Sequence, residues 1–365
     1  MRGRKACQVR PQPQVLELPD GASRCKSTGQ TTYQGLHGMR ILVTGGAGYV
    51  GSHAVRRLMA AGHEVWVYDD LSRGHAAAVP EGRLLVGSLC EQQRLIDVFQ
   101  SHDIEAVMHF AALTLVAESV ADPLLYYQNN VCGSLSLLSA MRRCGVWRLV
   151  FSSTTAVYGA PQQQPISEDA PRQPINPYGT SKLMVELMLE DAAAAYGLGF
   201  AALRYFNAAG ASPAGDLGED HSPETHLIPI VLHAAMGRRS HVTVFGDDYP
   251  TPDGTCVRDY VHVEDLAEAH LLALERLQPG QGLKLNLGTG QGYSVRQVIE
   301  ACRRVTGRPI RAEVGQRRPG DPASLVADPS RAKQVLGWTP HYTDLDQIVE
   351  TAWRWHRSHP QGYGQ

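Results

Sequence analysis

The sequence predicts a doubly wound α/β fold, in which helices cover both faces of a parallel sheet. From residue 40 onward, short β-branched runs alternate with amphipathic helical patterns, as parallel βαβ units do. A glycine-rich turn joins the first run to the first helix, and an acidic residue ends the second run. Both features are typical of a dinucleotide site. We therefore expect a dinucleotide-binding domain with a smaller, interleaved carboxyl-terminal α/β lobe that binds substrate.

Six predicted strands build the first half of the sheet. Each is short, apolar and separated from the next by a turn or a helical pattern. The strands are RILVTG (40–45), HEVWVYD (63–69), RLLVG (83–87), EAVMHF (105–110), WRLVFSS (147–153) and GFAALRYF (199–206). Periodicity predicts the intervening helices over 49–62, near 91–100, near 122–143 and over about 178–196.

The alternation ends after residue 207, where a loop rich in Pro, Gly and Asp begins. The remaining predicted elements are a helix near 226–238, the strand HVTVF (241–245), the segment VRDYVHV (257–263), the strand LKLNLG (283–288), and helices near 294–304, 330–335 and 344–356. We expect a first domain over 39–207 with returning segments near 257–290. The smaller lobe would then comprise 208–256 and 291–356.

Composition excludes several classes of protein. With 365 residues, 43% hydrophobic and 19% charged, the chain is neither disordered nor collagen-like nor a coiled coil. A net charge of −2 provides no field to attract nucleic acid or a membrane surface. Seven scattered cysteines without a C-x-x-C pair predict neither a disulfide framework nor a bound metal, and they favour the reducing cytoplasm.

Residues 1–38 are expected to lie outside the fold. They carry many turn formers and no sustained apolar period, which predicts a disordered tail. Because Met39 directly precedes the first strand, a wrongly chosen upstream start codon is the other interpretation, and a targeting or partner-binding arm is a third. We expect deletion of 1–38 to leave activity intact.

The phosphate-binding signal is TGGAGYVG at residues 44–51. It can be aligned as GxxGxxG through Gly45, Gly48 and Gly51, or as GxGxxG starting at Gly46. Glycine allows a tight turn and lets backbone approach a pyrophosphate at the positive end of a helix. This context predicts a Rossmann-type dinucleotide site, to which Tyr49 and Val50 also contribute.

An acidic residue is expected to select the dinucleotide. Asp69 ends the second strand 18 residues after Gly51, where a carboxylate binds the adenosine ribose and repels a 2′-phosphate. NAD is therefore favoured over NADP. Asp70 is the alternative ribose ligand, and Arg73 and His75 keep an NADP interpretation open.

A proton-transfer pair is predicted in NPYGTSKLMVE. Tyr178 and Lys182 are four residues apart at the start of a helix and so share one face. A phenol, with a pKa near 10, becomes a usable base when an ammonium stabilises its phenolate. Y-x-x-x-K alone mostly marks a surface helix. After a dinucleotide loop and the strand-end cluster at 152–155, it predicts catalysis.

Five segments resemble one family, the UDP-glucose 4-epimerases among the extended short-chain dehydrogenases/reductases. They are TGGAGYVGSH, FSSTTAVYG, PYGTSK, RYFNAAGA and FGDDYPTPDGTCVRDYVHVEDLAEAH, and the likeness runs from Met39 to about Trp355. It implies tightly bound NAD and interconversion of UDP-glucose and UDP-galactose. Tyr178 would take the proton of the sugar 4-hydroxyl while hydride leaves C4 for the nicotinamide; the 4-keto sugar then turns over and is reduced on its other face.

The resemblance also implies roles for individual residues. Thr154 would hydrogen-bond the reacting oxygen, and Lys182 would contact the nicotinamide ribose. Cofactor contacts are implied for Phe110, Ala111, Ala112 and Asn129. Contacts with the uridine diphosphate are implied for Asn207, Arg258, Arg318 and Asp321.

Three positions depart from the family pattern or leave it open. Thr114 replaces a common lysine and Ser88 a common aspartate, which predicts looser NAD binding. Leu325 stands where a tyrosine or a small residue separates the glucose-specific enzymes from those that accept N-acetylated sugars. UDP-N-acetylglucosamine and UDP-xylose or UDP-arabinose therefore remain alternative substrates.

Two other functions are less favoured. A nucleotide-sugar 4,6-dehydratase would carry a Thr-Asp-Glu string where Thr154, Thr155 and Ala156 stand, so the acid and base of dehydration are missing. A non-catalytic NAD-sensing protein would not need Tyr178 and Lys182. The resemblance further implies a homodimer formed by the helices near 122–143 and 178–196, whose apolar stripes are LSLLSAM and LMVELML.

Overall fold

The structure, a computed structural model, describes residues 38–318 and 320–364. The predicted tail lies outside the described residues except for Gly38. The strands are β1 (Arg40–Thr44), β2 (Glu64–Asp69), β3 (Leu84–Val86), β4 (Ala106–His109), β5 (Arg148–Thr154), β6 (Gly199–Tyr205), β7 (Asn207–Ala209), β8 (Val242–Phe245), β9 (Val257–Arg258), β10 (Tyr260–His262), β11 (Gly282–Leu287), β12 (Tyr293–Ser294), β13 (Ala312–Gly315) and β14 (Ser324–Leu325).

Helices separate most of these strands. They are α1 (Tyr49–Ala60), α2 (Gln92–Ser101), α3 (Val116–Ala121), α4 (Pro123–Tyr126), α5 (Gly133–Cys144), α6 (Pro177–Tyr196), α7 (Leu227–Ala235), α8 (Val263–Arg276), α9 (Val295–Thr306), α10 (Ser330–Leu336) and α11 (Leu345–Ser358). No helix in 38–318 or 320–364 is long and apolar enough to cross a membrane.

Seven strands form one parallel sheet in the order β11-β6-β5-β4-β1-β2-β3. The predicted doubly wound fold is confirmed. Because β1 lies between β2 and β4, the winding direction reverses there. In open sheets of this kind, ligands bind beyond the carboxyl ends of the strands at the reversal.

Each face of the sheet is covered by its own apolar core. Along β1, Ile41 and Val43 belong to one buried cluster and Leu42 to the other, as expected when successive side chains alternate across a strand. The first cluster includes residues of α1, α8 and α10, and the second includes residues of α2, α5 and α6.

The elements after residue 207 form a second, smaller layer. Helices α7, α9 and α11 enclose a third core that includes Leu232, Val298 and Ile348. Their strands pair in small groups: β7 with β10, β8 with β13, and β9 with both β12 and β14. Helix α8, by contrast, returns to pack on α1.

Helix α8 was not predicted, although acidic residues in its first turn and the His262 cap mark its start. The predicted helix near 122–143 is confirmed as a continuous helical segment that consists of α4, a π-helical stretch (Tyr127–Cys132) and α5. Within the π-helical stretch, Asn130 is buried and Asn129 is partly exposed.

Candidate active site

One large cavity opens at the carboxyl ends of the central strands. Its volume is about 770 Å³, and it lies where the sheet reverses its winding. The glycine loop, the ends of β2, β4, β5 and β6, and the start of α6 line one part of it. Segments of the second layer, including residues around 219–229, 258 and 325, line the rest.

The glycine loop is so tightly packed that side chains are excluded at two positions. A Cβ on Gly45 would lie 2.4 Å from the Ala111 nitrogen, and φ there is +71°. A Cβ on Gly51 would lie 2.2 Å from the Gly45 oxygen. The backbone of the loop therefore faces the cavity directly, so the residues present fit a dinucleotide pyrophosphate.

Asp69 is held by backbone amides at the end of β2. Its carboxylate accepts hydrogen bonds from the Ala47 nitrogen (3.0 Å) and the Leu71 nitrogen (2.9 Å). Burial raises the pKa of Asp69, and these two amides oppose the shift. A carboxylate has about four acceptor positions, so room remains for a ribose diol. Asp70 also lines the cavity and accepts from Ser72.

Arg73 is already paired. One guanidinium nitrogen donates to Glu118 (2.8 Å) and another to the Ser222 carbonyl (3.2 Å). Because these contacts engage two nitrogens of its guanidinium, Arg73 is not free to bind a ribose 2′-phosphate. His75 lies within hydrogen-bond distance of the Asp220 carbonyl. The surroundings of the β2 end therefore favour an unphosphorylated ribose.

Tyr178 stands in the first turn of α6. The Asn176 side chain accepts from the Gly179 amide and caps the helix, and Pro177 occupies its first position. Burial raises the pKa of Tyr178, and the side chain of Thr154 lowers it. The Thr154 oxygen accepts from the Ala156 amide (3.2 Å), which leaves its own hydrogen to donate.

Lys182, one turn further along α6, is 2% exposed. Its ammonium donates to the Ser152 carbonyl (2.8 Å) and lies 4.8 Å from the centroid of the Phe151 ring. Burial lowers the pKa of Lys182 to about 7, against the raising effect of Glu186. The shift in the pKa of Tyr178 arises from burial and from Thr154. In this structure the Lys182 ammonium is instead engaged with the backbone.

Asn130 was not predicted; it does not itself line the cavity, but it connects two segments that do. Its side chain exchanges two hydrogen bonds with the Leu113 backbone (2.8 and 3.0 Å) and donates to the Ser181 hydroxyl (3.0 Å). Ser181 in turn donates to the Tyr178 carbonyl. Asn130 thus links the turn after β4 to the helix of Tyr178. The predicted neighbour, Asn129, lines the cavity and donates to Asn130.

The turn after β4 is in the predicted place. The amides of Phe110 and Ala111 both donate to the Thr44 carbonyl, which holds the turn against the glycine loop. The predicted Phe110, Ala111 and Ala112, together with Thr114, line the cavity. Ser88 is absent from the cavity lining, while its neighbours Gly87 and Leu89 belong to it.

The predicted diphosphate residues are only partly brought together. Asn207, Arg258 and Leu325 line the cavity, and Arg258 on β9 lies beside Leu325 on β14. Arg258 forms an ion pair with Asp321 and donates to the Val257 carbonyl. Arg318 is exposed and lies outside the cavity, with its guanidinium 4.0 Å from the centroid of the Phe245 ring.

A cluster of four side chains on the loop 219–226 was also missed. Glu219, His221 and His226 line the cavity, and Glu224 adjoins them. Burial raises the pKa of Glu219, but the nearby His226 and His221 lower it by more, so the net shift is downward. Glu219 outweighs burial and raises the pKa of His226 to about 9. In the sequence, this cluster is indicated by the spacing E-x-H-x-x-E-x-H over residues 219–226.

Comparison with known proteins agrees with this geometry. The family described as "NAD dependent epimerase/dehydratase family" matches residues 41–288. A UDP-glucose 4-epimerase of Halalkalibacterium halodurans is 54% identical over 326 residues, which cover 89% of this chain and 98% of the relative. One of Corynebacterium glutamicum is 54% identical, over 86% of this chain and 95% of the relative.

Solved structures with bound nucleotides are similar throughout. UDP-glucose 4-epimerase from Brucella ovis in complex with NAD has a TM-score of 0.83 and 49% identity, covering 86% of this chain and 97% of its own. The enzyme from Bifidobacterium longum in complex with NAD+ and UDP has a TM-score of 0.85 and 39% identity, covering 89% and 100%. The chain therefore belongs to the NAD dependent epimerase/dehydratase family.

Proposed function

We propose that this protein interconverts UDP-glucose and UDP-galactose by reversible, NAD-dependent oxidation at C4 of the sugar. One observation carries the proposal: a single cavity is lined by a glycine loop that excludes a side chain at Gly45 and Gly51, by the Tyr178–Thr154 pair, and by Arg258. The lining thus combines a site for a nucleotide cofactor, a proton acceptor and a cation for a diphosphate. The relatives and neighbours that carry the name UDP-glucose 4-epimerase support the same activity.

The strand ends would hold NAD. Gly45, Gly48 and Gly51 would receive the pyrophosphate, and the Asp69 carboxylate, with Asp70 beside it, the adenosine ribose. Further contacts come from Tyr49, Val50, Phe110, Ala111, Ala112 and Asn129. When bound, the nicotinamide accepts a hydride from the sugar carbon and later returns it. The two free donors of the Lys182 ammonium, whose third is engaged by Ser152, would bind its ribose.

Tyr178 would move the proton of the sugar 4-hydroxyl. The Thr154 side chain lowers the pKa of Tyr178 and so favours the phenolate that burial disfavours. The Thr154 hydroxyl can follow the reacting oxygen as its charge changes. Because Thr154 is 8% exposed, these hydrogen bonds form in a site with little water, where they are stronger.

The second layer would bind the uridine diphosphate. Arg258 offers a planar fork of donors that suits a diphosphate, and its ion pair with Asp321 holds the guanidinium at the cavity. Asn207 adds an amide on the same lining. Arg318 would join only after its side chain leaves the Phe245 ring.

Leu325 would set the range of sugars. Its side chain packs with Val157, Tyr158 and Ile166 while lining the cavity, so its bulk has little freedom to move aside. We expect slow or no turnover of N-acetylated sugars. A Leu325→Ser variant should gain activity toward UDP-N-acetylgalactosamine relative to UDP-galactose, whereas Leu325→Tyr should not.

We further propose that the protein acts as a homodimer in the cytoplasm. Helices α3 to α6 carry apolar side chains that remain exposed: Val120, Leu124, Leu125, Leu135, Met184 and Leu187. Exposed apolar faces of this extent mark interaction surfaces. A Leu124→Glu/Leu187→Glu double variant should elute as a monomer in size-exclusion chromatography with light scattering, whereas Val86→Glu, on the exposed strand β3, should leave the mass unchanged.

The activity itself is tested with purified protein and no added cofactor. A coupled assay offers UDP-galactose and UDP-N-acetylgalactosamine separately. Conversion of UDP-galactose alone supports the proposal with resident NAD and a restrictive Leu325. If neither sugar reacts, the assay is repeated with added NAD. The absence of conversion under these conditions would contradict the proposed function.

A further inference from the structure

The loop 219–226 gathers four metal-binding side chains within eight residues. One ligand atom from each of Glu219, His221, Glu224 and His226 lies within 4.8 Å of the other three. Ligands around a tetrahedral zinc ion, at about 2.0–2.2 Å from the metal, lie roughly 3.4 Å apart. Such a sphere would form if the widest pair contracted by about 1.4 Å and the closest pair, His226 Nδ1 and Glu219 Oε1, moved apart. We propose that these four residues bind one divalent transition-metal ion, with Zn²⁺ the best match.

The contacts within the loop already point at one centre. The Nδ1 atoms of His221 (3.1 Å) and His226 both approach the same oxygen, Oε1 of Glu219. Glu224 lies on the far side, with one carboxylate oxygen 3.9 Å from the His221 Nδ1. Two imidazoles and two carboxylates are a donor set that divalent zinc accepts.

The ligands are anchored from outside the loop. The Trp355 indole donates to the Glu219 carbonyl (3.1 Å), and Arg73 donates to the Ser222 carbonyl. The second Glu224 oxygen accepts from the amides of Thr225 and His226, just before α7 begins. Preorganisation of this kind lowers the entropic cost of binding an ion. Because Glu219, His221 and His226 line the cavity, an ion has a path to them.

The site is distinct from the residues proposed to move the proton. On the side of the glycine loop, the Tyr49 ring lies edge-on to His221 at 6.3 Å between centroids. An ion here would fix the loop against the start of α1. Its binding can be measured directly, so the outcome does not depend on the proposed epimerase activity.

The test uses the full-length protein as isolated, freed of metal by EDTA and desalted. Zn²⁺ is titrated calorimetrically at pH 6 in two buffers of different ionisation enthalpy. We expect about one ion per chain, with protons released on binding. Co²⁺ in its place should give the strong visible absorption of a four-coordinate ion. No saturable binding, or weak binding without proton release, would overturn the proposal.

Variants assign the ligands. His226→Gln and Glu224→Gln should each weaken Zn²⁺ binding by at least about 100-fold, since loss of even an outer-shell partner typically costs 10–100-fold. The matched control is His241→Gln, an exposed histidine paired with Glu313, which should bind as the parent does. Circular dichroism and the melting temperature check that each variant is folded. Unchanged affinity in both folded ligand variants would contradict the site.

Discussion

The two parts of the cavity lining hold their polar groups in different ways. On the strand-end side, Lys182 is fixed by a backbone carbonyl and Asp69 by two backbone amides. On the side of the second layer, Arg258 is paired with Asp321, and His226 with Glu219. A backbone partner is fixed in position by the sheet or the turn to which it belongs. Groups held by other side chains can change partners, which suits a ligand that enters and leaves in every turnover.

The strongest test of the strand-end side is Tyr178→Phe. Loss of a general base should lower turnover by more than about 100-fold, while the bound NAD content should stay normal because the glycine loop is untouched. Turnover is measured in the coupled assay and NAD is quantified after denaturation. Near-normal activity would assign the proton transfer to another residue.

The glycine loop can be broken with a single methyl group. Gly51→Ala would place a Cβ 2.2 Å from the Gly45 oxygen, whereas Gly48→Ala meets that atom at 3.3 Å. We expect Gly51→Ala to reduce NAD affinity by at least tenfold, about 1.4 kcal/mol, and Gly48→Ala to have a much smaller effect. Equal retention of NAD by both variants would show that the loop tolerates a side chain.

A substitution on the second-layer side of the cavity should affect substrate binding and leave the chemical step nearly unchanged. Arg258→Lys keeps the charge but loses the bidentate fork, so we expect KM for UDP-galactose to rise about tenfold, with kcat changed less than threefold, since a charge-assisted hydrogen bond contributes about 1.5–3 kcal/mol. Arg318→Lys, outside the cavity, is the comparison and should change KM less. A fall in kcat at constant KM would place Arg258 in the chemical step.

The last test concerns stability, through Lys182. Its pKa is lowered from 10.5 to about 7 by burial, so between these pH values the unfolded chain binds more protons than the folded one. The contribution of this group to stability therefore rises with pH across that window. In NAD-free protein, Lys182→Met should raise the melting temperature most near pH 6, and the gain should shrink towards pH 10. A constant difference across pH would contradict the lowered pKa.

Local sequence patterns predicted the strand-end side well. The doubly wound sheet was predicted from the alternation of strand and helix patterns, NAD from the glycine loop and the strand-end acid, and the family from five segments that resemble it. Most of these signals are local in sequence, because a strand and the turn that follows it place side chains at one sheet edge. The individual site roles and the division into domains remain predictions.

Contacts through space could not be predicted in this way. The loop 219–226 has no period, so its four converging side chains gave only a spacing signal. Asn129 was predicted and lines the cavity, whereas Asn130 was not predicted, because its hydrogen bonds to Leu113 and Ser181 join segments that are far apart in sequence. The Arg258–Asp321 pair joins positions 63 residues apart, and Arg318, close in sequence to Asp321, faces Phe245 instead.

The late return of α8 and β11 has a consequence for synthesis of the chain. Helix α8 covers α1, and β11 covers the free edge of β6, yet both are made after the loop and lobe that begin at residue 207. On the ribosome, the first six strands therefore wait with an exposed apolar face and an unpaired edge until residue 287 has emerged. Such intermediates are prone to aggregation. A fragment that ends near residue 207 would carry the same exposed surfaces permanently.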